Sequence, residues 1–522
     1  MSADVIVRFL RCAEKREDND DGLLLQNGST KVQNCPTGGT TATAPRVIFQ
    51  SFTLHCPLFP ISVTMHTAMR KEKRNSAQLT SITEGSIPKA LISFFFPIFF
   101  GSLFQQLYNT VDAITMGRFV GTNALAAVGG AAVYVNLLIG LFVGISNGAA
   151  VVISQYYGAQ EKEKTHDAIE TSMALAGIGG LLVMGLGLFS ADWGLRILGT
   201  PLEIREMSKT YLVIYFSGMV PMFLYNMGAS VLRSMGDSRT PLYILIISCF
   251  INIFADLFFV IILKIGVAGV AWATVLSQVF STIAVVIRMR KNSDPAYQFH
   301  LKDLCMRKDI VKKMLAIGIP SGIQGCMFNI SNLLIQGAIN SLGTTVIAAN
   351  AAYEKLEGIF WMCINSFGTA MTVFSGQNYG ANKMERLRKG NWVCLGLCAC
   401  MTMACTFCFV HWGRAILMLF TSDEAVLEQG MIIIHIIPPT FLTYISVEVF
   451  SGTIRGCGQS VVPTLFAAIG ICLSRVLWIL FVFPLSPSIR SVMYAYPVSW
   501  SLASVMFWIY YFKGHWMRRD TI

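Results

Sequence analysis

The chain is dominated by apolar runs of a length that only a lipid bilayer calls for. Stretches 91–115, 169–189, 211–232, 242–263, 464–483 and 491–511 are nearly free of charge. Each holds about 20 residues, the number needed to cross a hydrocarbon core as helix. Weaker stretches bring the expected total to twelve, starting near Leu91, Leu125, Ile169, Tyr211, Leu242, Val267, Met314, Ile347, Trp392, Met431, Thr464 and Ser491. Their period is helical and lacks barrel-type alternation, so an all-α polytopic membrane protein is expected. Only 13% of the residues are charged, against about 25% in a soluble protein.

The net charge of +11 does not point to nucleic acid. Its placement follows the positive-inside rule. Basic residues cluster at 70–74, at 288–313, at 383–389 and at 513–519. With twelve spans all four clusters fall on one side, which puts both termini in the cytoplasm and the protein in the plasma membrane. Fourteen cysteines invite a metal site, but five of them, Cys394, Cys398, Cys400, Cys405 and Cys408, scatter around one span. Small apolar packing is the plainer role, and no zinc pattern is present.

Residues 1–84 differ in kind. They are polar, carry the low-complexity run TGGTTATAP, and are expected to be a disordered extension. Met69 opens MRKEKR, a natural basic start, so 1–68 are read as a possible mis-start.

Shifted by 222 residues, the chain matches itself without a gap. QYYGAQEKEK at Gln155 lies over QNYGANKMER at Gln377, and VLRSMGDSRTP from Val231 over TIRGCGQSVVP from Thr453. Gly121–Thr122 falls on Gly343–Thr344. A unit of six spans is even, so the repeat is parallel. The expected organisation is a first lobe at 85–290, a basic hinge-like connector at 291–312, a second lobe at 313–513 and a cytoplasmic tail at 514–522. Two pseudo-symmetric six-helix bundles are the architecture of an alternating-access transporter. The matched glycines Gly158, Gly380, Gly236 and Gly458 are expected to make turns or caps, and Gln155, Gln377, Tyr157 and Tyr379 to anchor the membrane interface.

Carboxylates inside a span are expensive, about 2.5–3.5 kcal/mol each on insertion scales. Asp112 closes the first span, after Pro97, which should bend that helix. Asp256 sits in the fifth span with Asn252 four residues before it, on the same face. Thr274 lies in the sixth. Two carboxylates, an amide oxygen and a hydroxyl are hard donors that suit Na⁺, or a proton on the acids. At the 222-residue offset stand Leu334, Ser474, Trp478 and Tyr496, so the second lobe lacks both carboxylates and the amide. It carries other charges instead: Glu354, Lys355 and Glu357 in the eighth span, Glu448 in the tenth and Arg475 in the eleventh. Glu448–Arg475 or Lys355–Glu448 are candidate ion pairs. Glu354 and Glu357 are candidate contacts for a cationic substrate.

These features together resemble the multidrug and toxic compound extrusion (MATE) family, bacterial type, over about 87–513. The resemblance rests on six plus six spans, VDAITMG, the paired GT…AA openings of the second and eighth spans, the QYYGA and QNYGA segments, and the R-x-x-G-D-S-x-x-P segment with its partner. It implies a V-shaped pair of bundles that exports amphipathic, often cationic, drugs or toxic metabolites by cation antiport. It also implies a first-lobe cation site of Asp112, Asn252, Asp256 and Thr274, and bending at Pro97. The chain departs from members with a second-lobe acidic site: the seventh span has no carboxylate in its apolar part, and Tyr444 stands where the tenth-span acid would fall.

The expected protein is thus a monomeric secondary transporter of small amphipathic molecules in contact with lipid, coupled to Na⁺ or H⁺, with no other cofactor or metal and no nucleic-acid partner. A lipid-linked saccharide flippase is the alternative. It should show a cationic central cavity, whereas basic residues gather at the cytoplasmic rim. A non-transporting receptor or scaffold would need a soluble domain, for which only 1–68 are available. An enzyme is disfavoured because no P-loop, HExxH motif or nucleophile–His pair is present, and His411 and His435 stand apart.

Overall fold

A computed structural model of the chain describes residues 82–292, 294–514 and 516–517. The extension expected at 1–84 lies outside these except for its last three residues, and so does most of the tail. Among the described residues the chain forms twelve successive helical segments and no strand. They are α1 Ile87–Val120, α2 Thr122–Gly158, α3 Lys162–Ile197, α4 Leu202–Ser217 with Met219–Ser234, α5 Arg239–Ile262 and α6 Val267–Arg290. The second half repeats them as α7 Lys308–Asn340, α8 Thr344–Gly380, α9 Met384–Leu417, α10 Glu424–Gly456, α11 Val461–Leu485 and α12 Ile489–Lys513.

Among the described residues nine of these helices are long and apolar enough to cross a bilayer alone, and α4, bent by 50° at Gly218, is a tenth. The two left over, α7 and α8, are the more polar ones for a packing reason. They run between the halves, α7 against α2 and α8 against α1 and α2, and a helix that faces protein needs less apolar surface than one that faces lipid. Small residues let the backbones approach. A methyl group on Gly144 or Gly148 of α2 would run into the backbone of α7 around Gly318 and Gly322. Between α1 and α8, Phe95 stacks on Phe367 with ring centroids 4.1 Å apart.

The connector is strapped to the first half. Lys162 Nζ lies 2.9 Å from Asp294 Oδ2, and Arg307 Nη2 lies 2.9 Å from Asp167 Oδ1. The His300 amide donates to the buried Glu170 Oε1 at 2.8 Å, and Thr171 Oγ1 donates to the Cys305 carbonyl at 3.2 Å. Ahead of α1 the chain is tied to the second half instead. Arg386 of α9 donates to the carbonyls of Ile82, Glu84 and Gly85, and Lys383 Nζ donates to that of Thr83.

Candidate cation site and central cavity

Asp112 stands near the end of α1 and Asn252 and Asp256 on α5, and the packing of α1 on α5 brings the three together. Asn252 and Asp256 are 1% and 0% exposed. The Asp112 carboxyl faces both the Asp256 carboxyl and the Asn252 amide. None of these contacts reaches hydrogen-bond geometry. Asp112 Oδ1, both Asp256 oxygens and both polar atoms of the Asn252 amide have no partner among the described residues. Unsatisfied buried polar atoms are rare in native folds and call for a missing proton, water or ion. Phenols of Tyr108, Tyr211 and Tyr215 lie within electrostatic reach of Asp112. Thr274 is buried on the adjacent α6, where its hydroxyl donates to the Val270 carbonyl at 3.1 Å. That leaves its lone pairs for a further ligand, but no described contact joins it to the carboxylates.

At the equivalent place the second half holds a fixed cation. Arg475 on α11 is 4% exposed. Its Nη1 donates to Asn332 Oδ1 at 2.9 Å and its Nε to Ser499 Oγ at 3.1 Å. Its guanidinium lies 4.4 Å over the Tyr496 ring, the repeat mate of Thr274. Glu357, buried and with an unpartnered Oε1, is in electrostatic reach of it. The second half has therefore replaced its carboxylates with a guanidinium rather than simply losing charge. The candidate pairs Glu448–Arg475 and Lys355–Glu448 do not form. Glu448 turns to the space between the halves, and the exposed Glu354 accepts from Asn350 Nδ2 at 2.8 Å. Helical spacing could not distinguish these partners because the choice depends on how α7, α8, α10 and α11 pack.

A cavity of about 350 Å³ lies between the halves. Residues of α1, α2 and α4–α6 line one side, and α8 and α10 the other; Pro97 is on its wall. Its surface mixes Tyr108, Tyr215 and Tyr225 with amides such as Gln105 and Asn365. It also contains Arg233, Arg455 and Glu448. The arginines correct the expectation that basic residues stay at the rim. VLRS (231–234) and TIRG (453–456) are the last turns of α4 and α10, and those turns place Arg233 and Arg455 on the cavity wall. The signal was present in the sequence, since the two arginines are repeat mates.

The same helix ends join the halves. Gln155 Nε2 on α2 donates to the Gly456 carbonyl on α10 at 2.9 Å, and Gln377 Nε2 on α8 donates to the Ser234 carbonyl on α4 at 2.6 Å. Gly158 and Gly380 are not the turn residues of this region. Positive φ falls on Gln160 (60°) and Asn382 (59°) instead. The two glycines are contact points, where a methyl group would strike the carbonyls of Gln377 and Gln155 respectively. Gly236 and Gly458 do make turns, with φ of 101° and 94°.

The MatE family pattern matches residues 97–258 and 320–480, one copy in each half and more than half of the chain. The chain belongs to the MatE family. Two bacterial relatives extend the likeness. "Probable multidrug resistance protein YoeA" of Bacillus subtilis (strain 168) is 28% identical over 396 residues, 74% of this chain and 85% of its own length. "Multidrug export protein MepA" of Staphylococcus aureus (strain NCTC 8325 / PS 47) is 23% identical over 423 residues, 80% and 93% respectively. Solved structures share the fold. One titled "Outward-facing conformation of a multidrug resistance MATE family transporter of the MOP superfamily" aligns with TM-score 0.77 at 21% identity, covering 84% of this chain and 98% of its own. One titled "Crystal structure of MATE in the bent conformation" aligns with TM-score 0.77 at 21% identity, covering 82% and 95%. The chain is thus a MATE-family membrane transporter of two six-helix bundles. Within this MATE fold the oxygen cluster lies in the first half, and the cavity and the glutamine bonds lie between the halves.

Proposed function

We propose that this MATE chain exports small amphipathic molecules from the cytoplasm by antiport with Na⁺ or H⁺. The observation that carries the reading is the set of unsatisfied oxygens on Asp112, Asn252 and Asp256. Two carboxylates facing each other away from water cannot both stay charged at low cost. A cation or a proton relieves that repulsion and draws α1 onto α5. Loss of the ion lets α1 move, with Pro97 as the place where it bends. Substrate occupies the cavity between the halves. Export follows if ion and substrate favour different packings of the first half. Alternating access then needs the glutamine bonds to open, and these bonds close the cavity on the side of the QYYGA and QNYGA segments. The positive-inside distribution makes that side the cytoplasm, with both termini on it. The chain acts as a monomer in the plasma membrane and performs no covalent chemistry. Glu448 is the cavity acid that would meet a cationic group on a substrate.

The arginines in the cavity are the one observation that favours a second reading, a lipid-linked saccharide flippase.

The test is export from proteoliposomes under swapped gradients. A Na⁺ gradient at equal pH and a pH gradient without Na⁺ are imposed in turn on vesicles loaded with a fluorescent amphipathic dye. One of the two should drive dye movement above an ionophore-collapsed control. Movement that ignores both gradients would contradict the antiport reading.

A further inference from the structure

The charges lining the cavity do not balance. Arg233 and Arg455 occupy equivalent places at the ends of α4 and α10, and each has a cavity-lining residue seven positions earlier on the same helix face. On α10 that residue is Glu448, within electrostatic reach of Arg455. On α4 it is Asn226, whose Nδ2 donates to the Met222 carbonyl at 2.9 Å. One arginine therefore has a carboxylate on its own helix and the other has only an amide. Neither guanidinium is consumed by the protein. Arg233 Nη2 reaches Ser230 Oγ at 3.3 Å. Arg455 Nη2 reaches Ser451 Oγ at 3.0 Å and Gln324 Oε1 at 3.4 Å, and Arg455 Nε has no partner among the described residues. These are neutral acceptors, mostly at long range. Two guanidiniums with spare donors, set against one carboxylate in a cavity walled by tyrosines and amides, form a receptor short of negative charge. Guanidinium groups with unused donors bind carboxylate or phosphate oxygens in preference to neutral groups.

We propose that the cavity takes amphipathic molecules that carry a carboxylate or phosphate-like group, seated between Arg233 and Arg455. The tyrosines and Met222 hold the apolar body of the molecule. Glu448 admits a cationic group in the same molecule, so zwitterions fit better than simple cations. The seat is also wired to the inter-half bonds. Ser234, which accepts from Gln377, follows Arg233 directly, and Gly456, which accepts from Gln155, follows Arg455. An anion that pulls on the guanidiniums therefore pulls on the two turns that hold the halves together.

The inference rests on the reading of this cavity as the substrate site, and binding separates it from transport. The probes are a xanthene dye with a free carboxylate and the methyl ester of the same dye. Binding is measured by fluorescence anisotropy on the full chain in nanodiscs of zwitterionic lipid. The acid should bind about tenfold tighter than the ester, the factor one charge-assisted hydrogen bond supplies. Arg233→Gln should remove the preference by weakening the acid alone, Arg233→Lys should keep part of it, and Arg455→Gln gives an independent second variant. An ester that binds as well as the acid, acid binding unchanged in both Gln variants, or no binding of either dye would overturn the proposal. Adding phosphatidylglycerol to the discs separates the two sources of such a group. Acid binding that survives upholds a small-molecule substrate. Competition by the lipid, relieved in Arg233→Gln, assigns the seat to a lipid headgroup and overturns it. Discrimination between the dyes without gradient-driven export would leave the receptor standing and remove the antiport function.

Discussion

Gln155 and Gln377 are repeat mates, and they make the same hydrogen bond across the molecule in opposite directions. Each side-chain amide donates to the backbone carbonyl of a helix end in the other half, at 2.9 Å and 2.6 Å. The acceptors, Gly456 and Ser234, are themselves 222 positions apart. A pseudo-twofold contact of this kind closes one end of the cavity with two symmetry-related bonds.

Replacing both glutamines by Ala should open that end. Each bond contributes about 1 kcal/mol net, so losing both shifts the open-to-closed ratio by roughly 30-fold. Spin labels on the exposed repeat mates Glu163 and Glu385, at the starts of α3 and α9, would report it as a longer inter-label distance. An unchanged distance distribution in the double variant would show that the bonds do not hold the end shut.

Gly380→Ala and Gly158→Ala attack the same contact sterically. The added methyl meets backbone, the Gln155 and Gln377 carbonyls respectively, and backbone cannot swing aside as a flexible side chain does. Overpacking costs about 1–3 kcal/mol, taken from the closed arrangement. Thermal unfolding should show a lower midpoint for each, whereas Gly177→Ala, where nothing lies within 4 Å of the new methyl, should match the parent.

Arg475→Met should destabilise the second half by about 1–3 kcal/mol, because it takes the donor from the buried Ser499 hydroxyl and the positive charge from the neighbourhood of the buried Glu357. Glu357→Gln should cost less, since the guanidinium keeps Asn332, Ser499 and the Tyr496 ring. The double variant should recover part of the Arg475→Met loss. A double variant whose loss is the sum of the two single losses would break the assigned coupling.

The Lys162–Asp294 tie of the connector should open only in acid. The Lys162 ammonium, helped by the Ala296 amide, holds the Asp294 carboxyl below the ordinary carboxylate range. A depressed pKa contributes stability that is present above the unfolded value of about 3.9 and is lost as pH falls through the folded value. The pair is partly exposed, so the effect is small. Amide exchange at Ala296, which donates to Asp294 Oδ1, should be flat from pH 5 to 8 after correction for intrinsic rates, with protection falling only below about pH 4. Protection lost near neutral pH would point to another group.

The fold and the oxygen cluster were largely legible in the sequence, and for one physical reason. An ionisable residue inside an apolar span is costly enough to mark itself, so Asp112 and Asp256 could be picked out before any packing was known, and helical spacing put Asn252 on the face of Asp256. Arg233 and Arg455 escaped because each lies where an apolar run meets a polar segment, and a single further helical turn decides whether the side chain faces water or the cavity. Turns or caps are the expectation for Gly158 and Gly380 because glycine more often serves φ than contact, and only the approach of α2 to α8 distinguishes the two. Arg475 was visible, but its partners come from α7 and α12, and one-dimensional spacing cannot reach that far.

The central claim is that the Asp112–Asn252–Asp256 oxygens turn a cation gradient into export. Gradient-driven dye efflux from proteoliposomes, compared between the parent chain and Asp256→Asn, tests it most directly, with dye binding measured on both to show that the variant is folded. The account predicts that Asp256→Asn binds dye as the parent does and exports none of it above the ionophore control. Efflux by Asp256→Asn at the parent rate under the same gradient would contradict it.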